Sequence, residues 1–489
     1  MPYPSAACQT CKIRRIKCDE GRPICQRCKK SRRICIEAGP AKQISFSIHV
    51  ENSFAAGKTK RPRGPRSSLT VMRPEFDLET RAIAYYLQEH LSVTTDIPVV
   101  SGCMGECIAA WKISGQICPM VDLALSSIAL AVFSKIQHHP PALVKAASTY
   151  HRLLQLAQKQ VQQIRIRPED RANIDSCLLA IFIMGRYEGV ILRPDDVNAS
   201  SSFGSMRKWY HHDGAMAILK FWSEYMSDDI GTFIVKQTRK GLIRSSLLRG
   251  LPLPDWLLDG KRFGEHGMEL DYDRIIVRIT NLHHLFMDSE EHGVPNTMDF
   301  EDLDKELQEL DKALESWASR YLGSYSHWSH VLEEFDLRRK DFYSSIVYSY
   351  SRSEHAVVWS DYYASRILIN STRLRFLNLK NTDSSPESNN ERPRLECITN
   401  LKKMADNLAS TVPFCLARFK VESDQTSVTL AIDTEVKPYL ASSAVWPLTI
   451  ASSAEGIDFE QQRWFRSGLA RLGRLLGDGA LECATTNAW

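Results

Sequence analysis

The chain has 489 residues, 43% of them hydrophobic and 25% charged, which is the composition of an ordinary soluble globular protein long enough for two to four compact units. Its net charge of +4 conceals an asymmetry: residues 1–75 hold 17 Lys and Arg against 5 Asp and Glu, while the remainder holds 45 against 53. A basic N-terminal module on a mildly acidic body predicts a polyanionic partner held at one end; a merely solvated basic tail is the competing reading.

The start, Met1-Pro2-Tyr3-Pro4-Ser5, has no apolar core of the kind a signal peptide needs. The most apolar stretches, 120–133 and 177–185, are short and the first carries Asp122, so no membrane span is expected. A reducing compartment follows, in which thirteen cysteines do not imply disulfides.

Six of those cysteines crowd into the first 35 residues. Cys8, Cys11, Cys18, Cys25, Cys28 and Cys35 follow the spacing C-x2-C-x6-C-x6-C-x2-C-x6-C, a tandem repeat in which the first three recur 17 residues later. A C-x2-C pair lets two thiolates chelate one metal across a tight turn. Six thiolates are too few for two separate four-sulfur sites, which need eight, but suffice for two ions if two cysteines bridge. Disulfides are opposed by the compartment, and an iron–sulfur site would need only four of the six.

Basic residues fill the gaps. Lys12, Arg14, Arg15 and Lys17 share one short segment in which Ile13 and Ile16, three apart, are expected to face inward and leave the cations outside. The second repeat carries Lys30-Ser31-Arg32-Arg33 where the first has Ile13-Arg14-Arg15-Ile16, so the halves share a metal frame without sharing a surface.

The stretch Cys8-Gln9-Thr10-Cys11-Lys12-Ile13-Arg14-Arg15-Ile16-Lys17-Cys18, followed by Pro23-Ile24-Cys25-Gln26-Arg27-Cys28 and closed by Cys35, resembles the fungal binuclear zinc-cluster family at all six cysteine positions. The resemblance implies two Zn ions, with Cys8 and Cys25 bridging, Cys11 and Cys18 completing one site and Cys28 and Cys35 the other. It places Pro23 at a loop proline that is often cis. It implies double-stranded DNA as partner, with Arg14 and Arg15 at the family's base-reading positions and a CGG-like triplet as target. Arginine suits that task, since its guanidinium reaches guanine O6 and N7 together. Lys12, Lys17, Arg22, Lys29, Lys30, Arg32 and Arg33 read as phosphate contacts, which position the protein without specifying sequence.

Residues 36–75 are rich in Gly and Pro, with a weak alternation over 44–50 and a basic run containing Lys58, Lys60, Arg61, Arg63 and Arg66. Proline and glycine exclude a helix there. A signal for a nuclear import receptor, a minor-groove arm and a solvated linker are the three readings. No sustained heptad appears between Ile36 and Glu75, so the coiled coil through which many relatives dimerise is not expected, and a homodimer would have to form elsewhere.

From residue 76 onward apolar residues recur at intervals of three and four, predicting helices over 78–91, 123–136, 142–161, 174–187, 207–225, 230–248, 272–286, 303–321, 360–379, 395–410 and 459–477. The expected fold is mainly α: a small N-terminal binuclear cluster of two short helices (1–38), a basic flexible linker (39–75) and a large all-α multi-helix domain (76–489). Trp209-Tyr210-His211-His212-Asp213-Gly214-Ala215, Tyr363-Ala364-Ser365-Arg366-Ile367-Leu368 and Val445-Trp446-Pro447-Leu448 loosely resemble the helical regulatory domain that accompanies fungal zinc clusters. The pairs His138-His139, His211-His212 and His283-His284 are adjacent, not four apart, so they do not chelate from one helical face. With no HExxH, phosphate loop or GxSxG elbow, no catalytic residue and no enzyme is expected.

Together these readings predict a nuclear regulator of RNA polymerase II genes, of the kind that controls fungal metabolic gene clusters, whose helical body contacts transcriptional co-regulators. The alternative is a zinc-stapled protein-interaction factor that acts as a co-regulator without reading DNA.

Overall fold

The computed structural model describes residues 7–36, 76–91, 104–166, 171–193, 209–226, 230–292, 300–333, 339–383, 391–422 and 427–486. Two compact units divide the chain, Met1–Pro74 and Glu75–Trp489. The 39–75 linker reading and its basic run lie outside the described residues.

In the first unit, helices α1 (Gln9–Ile13) and α2 (Gln26–Lys30) are built alike. Each opens on an extended cysteine, Cys8 or Cys25, whose sulfur accepts the backbone N–H three residues on. Each closes with the N–H of a left-handed arginine, Arg15 (φ 53°) or Arg32 (φ 49°), on the carbonyl of Lys12 or Lys29, and the next N–H on the carbonyl of Cys11 or Cys28. That pair of bonds is a Schellman ending, satisfying carbonyls a five-residue helix would otherwise leave open. The 17-residue sequence repeat is therefore a repeat of backbone structure. The Arg22–Pro23 bond is cis.

The second unit is helical, around two apolar cores. The first is organised about α5 (Pro119–Ile136), which packs against α3 (Leu78–His90), α6 (Pro140–Ile166) and α7 (Arg171–Ile191), with α4 (Met104–Ile113), α8 (Tyr210–Tyr225) and α9 (Phe233–Arg249) completing it. By length and composition α5 could cross a membrane, but two-thirds of it is buried inside this unit. A helix enclosed by neighbours has no solvent face to fill with polar residues, which accounts for its apolarity.

The second core gathers α10 (Gly267–His292), α11 (Phe300–Tyr321), α12 (Ser353–Asp383), α13 (Glu391–Cys415), α14 (Pro438–Ser453) and α15 (Phe459–Leu476), with α12 at its centre. Ile276 on α10 packs against both cores. Helix starts carry the expected caps, such as Asp77 accepting from Glu79 and Thr80 and Thr232 accepting from Val235.

Three features depart from the sequence reading. Two antiparallel hairpins are present, β1 (His327–Val331) with β2 (Ile346–Tyr350) and β3 (Phe419–Val421) with β4 (Val428–Leu430). Strands of five and three residues are too short to show clear alternation. α4 and α14 were not expected as helices, and α14 contains Pro447. Its sequence offers little polar periodicity because nine of its residues are buried. The small pair Gly214-Ala215 predicts a close helix contact, yet Gly214 is not such a point: a Cβ there would meet only Ile181, at 4.0 Å.

Burial lowers the pKa of His90 to about 3 and that of His283 to about 4, so both are neutral in the fold. Between pH 6.5 and these values the unfolded chain takes up protons that the folded chain refuses. Each site's contribution is thus complete well above pH 6.5 and is lost as pH falls, about 2 kcal/mol each by pH 5. Thermal melts at pH 7 and pH 5 should show this loss, and His283→Leu should reduce it; an unchanged pH slope in the variant would place His283 outside the effect.

Candidate metal centre and nucleic-acid interface

The two half-repeats bring their cysteine sulfurs together at 3.8 Å for Cys8–Cys25, 3.8 Å for Cys8–Cys28 and 3.7 Å for Cys11–Cys25. A disulfide would need about 2.05 Å, and all six are free thiols. The edge of a tetrahedron with zinc–sulfur bonds of about 2.3 Å is about 3.8 Å, which matches. Two four-sulfur groups result, Cys8/Cys11/Cys18/Cys25 and Cys8/Cys25/Cys28/Cys35, each with all ligand atoms within 4.8 Å of one another. Cys8 and Cys25 belong to both. Among the described residues, no other group of His, Cys, Asp or Glu is placed to share a metal in this way.

The surroundings fit bound cations. Cys8, Cys11, Cys25 and Cys28 are buried, and Cys18 and Cys35 are half-buried. The N–H of Cys11 holds the Cys8 thiol below its ordinary pKa, and the N–H of Cys28 does the same for Cys25. Burial instead pushes Cys11 well up and Cys28 to about 12. Such thiols become thiolates only beside a cation, so metal binding and proton release are linked. Further N–H groups support the outer sulfurs, from Glu20 to Cys18 at 3.4 Å and from Cys25 to Cys35 at 3.5 Å.

Residues 6–43 match the fungal Zn(2)-Cys(6) binuclear cluster domain. This segment belongs to that family. Its six cysteines bind two zinc ions, and domains of this kind are those of DNA-binding transcription factors. The chain is also 37% identical over 75 residues to the sorbicillinoid biosynthetic cluster transcription factor sor3 of Hypocrea jecorina (strain QM6a), covering 14% of this chain and 10% of that protein. The chain therefore matches only about a tenth of its relative's length. No solved structure matches this chain.

Around the binuclear cluster, Lys12, Arg14, Arg15, Lys17, Lys29 and Lys30 are all exposed. Arg14 caps the C-terminal end of α1 and Arg15 follows in the left-handed turn, so both stand at the helix tip. Arg14 also donates from Nη1 to Ser31 Oγ at 3.2 Å, and Ser31 Oγ donates to Arg27 O at 2.8 Å. This link ties the ends of α1 and α2 together. Ser31 is the repeat equivalent of Arg14, a pairing the 17-residue offset could have suggested.

The inward placement of the isoleucines does not hold: Ile13 is 71% exposed and Ile16 37%. Cys11 occupies the inner face of α1, and two residues further along a helix is about 200° away. Metal and sulfur fill the interior, leaving no apolar core for Ile13 to join.

Other residues hold the frame. Asp19 accepts from the N–H groups of Gln26 (2.9 Å) and Arg27 (3.3 Å) at the start of α2, which holds its carboxyl below the usual range. Thr10 donates to Ile34 O at 2.8 Å and accepts from Ile36 N, closing the module.

Proposed function

We propose that this protein is a sequence-specific DNA-binding regulator of RNA polymerase II transcription, acting in the nucleus and reading a CGG-like triplet through the tip of α1. The observation that supports it is the exposed Arg14–Arg15 pair on a rigid zinc–thiolate frame. A helix entering the major groove end-first presents few side chains, and a bidentate arginine–guanine contact supplies the discrimination. Cys8 and Cys25 bridge the two zinc ions in this reading, being common to both sulfur groups.

Lys12, Lys17, Lys29 and Lys30 hold phosphates. The run Lys58, Lys60, Arg61, Arg63 and Arg66 serves an import receptor, and the helical unit contacts co-regulators and supplies any homodimer contact. The relative's place in a sorbicillinoid biosynthetic cluster supports control of a fungal metabolic gene cluster.

Arg15→Ala should weaken binding to the preferred site by roughly 1–3 kcal/mol and blur base preference, whereas Lys29→Ala should weaken all sequences alike and lower the salt slope by about 1. Fluorescence anisotropy on selected and random duplexes at several salt concentrations separates the two. Equal behaviour of the variants would refute the division of roles. A second reading, a zinc-stapled protein-interaction factor, draws on the exposed Ile24, Ile34 and Ile36; it predicts that Arg15→Ala leaves the factor's activity intact.

A further inference from the structure

A cavity of about 330 Å³ lies in the first core of the helical unit, between α7, α8, α9 and the short C-terminal helix α16 (Gly479–Glu482). Packed interiors leave few voids larger than a water molecule, and this volume falls in the range of small-molecule pockets. We propose that it is a binding site for a small, uncharged, largely apolar molecule carrying an oxygen acceptor.

The walls support that class. Leu178, Ile181, Phe182, Ile191, Leu192 and Leu242 supply an apolar lining, and Phe182 and Ile191 are also partly solvent-exposed. Gly241 lies mid-helix in α9, where glycine is unfavourable, yet a Cβ there would meet nothing within 4 Å. Packing against neighbouring helices does not demand this glycine; the space it leaves open is the cavity.

The polar end fixes the ligand's charge. Arg186 Nη1 donates to Asp478 Oδ2 at 2.6 Å, and the Asp478 side chain is 1% exposed. The guanidinium charge is thus already met by a buried carboxylate, while its other N–H groups can donate to a neutral acceptor. Glu188 adds a further carboxylate, within 3.0 Å of His211 Nε2, so an anionic ligand would face more negative than positive charge. Asp478 also caps α16 through the N–H groups of Ala480 and Leu481. A ligand seated on Arg186 therefore touches the residue that holds the C-terminal segment, and its binding stabilises the unit's closure.

This inference does not depend on DNA reading. The test titrates the full chain with prodan, a neutral ketone-bearing naphthalene of suitable size whose emission shifts blue in apolar sites. Saturable one-to-one binding, a blue shift and a higher melting temperature at saturation are expected. Gly241→Leu should weaken binding at least tenfold without lowering the melting temperature of the free protein, and Gly241→Ala by much less. If Gly241→Leu fails to fold, Thr238→Phe fills the same space from one helical turn away; the Thr238 hydroxyl donates to Ile234 O of its own helix. The anionic anilinonaphthalene sulfonate should bind at least tenfold more weakly than prodan. Absence of saturable prodan binding, or binding indifferent to the filling variants, would overturn the site; equal affinity for the sulfonate would overturn the ligand class.

Discussion

Cys25→Ala should strip both zinc ions from the chain and unfold residues 7–36, whereas Cys35→Ala should leave about one zinc in place. Cys25 belongs to both four-sulfur groups and Cys35 to one, so the variants leave no complete group and one complete group respectively. Among the described residues the frame has no other core: those buried are Ala7 and four cysteines. A module this small cannot offset its conformational entropy by apolar burial, and structural zinc contributes about 10–16 kcal/mol in comparable small modules. Cys25 also caps α2, so its loss opens that helix as well. Elemental analysis of purified chains gives the zinc count, and DNA binding should vanish with Cys25→Ala. Equal zinc loss in both variants would contradict the shared-ligand arrangement.

In the helical unit the largest single effect is expected at Arg239, which is fully buried. Its guanidinium meets Asp273 in a fork, Nη1 to Oδ1 at 2.6 Å and Nη2 to Oδ2 at 2.9 Å. It also donates to the carbonyls of Leu257 (2.9 Å) and Leu258 (3.2 Å), which fastens α9 to the turns before α10. Around this fork lie Lys236 on Glu269 and Lys240 near Glu265. Arg239→Met leaves the Asp273 charge buried without its partner and two carbonyls without a donor, at a cost of about 3–5 kcal/mol. In a unit of this size, Glu75–Trp489, that corresponds to a fall of roughly 3–6 °C in melting temperature. Arg239→Met combined with Asp273→Leu should recover part of the loss, because the uncompensated charge is then gone. A melting temperature unchanged in the single variant would show that the fork contributes nothing net.

The contrast between these sites explains what sequence can disclose. In this cluster the ligands come as C-x2-C pairs at a fixed repeat, so its chemistry is written in spacing, and the 17-residue repeat reappears as matching caps and endings. The helices of the second unit were legible wherever one face meets solvent, since that imposes a three-to-four periodicity. α14 was not, because Pro447 interrupts it and a proline in mid-pattern marks a helix break in sequence. The fork joins residues 34 apart and the Arg186–Asp478 pair residues 292 apart, and no local pattern marks either. Ile13 misled because an amphipathic argument presumes an apolar interior, and the interior of the cluster is sulfur.

Base reading by the tip of α1, as proposed, is open to direct test. The most direct measurement selects bound duplexes from random DNA with the zinc-loaded full chain and with its Arg14→Ala/Arg15→Ala variant. The native chain should enrich a short GC-rich triplet of the CGG kind, with any fixed spacing between two triplets revealing a dimer, and the variant should lose that enrichment. Retention of the same enriched sequence by the variant, or no enrichment by the native chain, would contradict base reading by this tip.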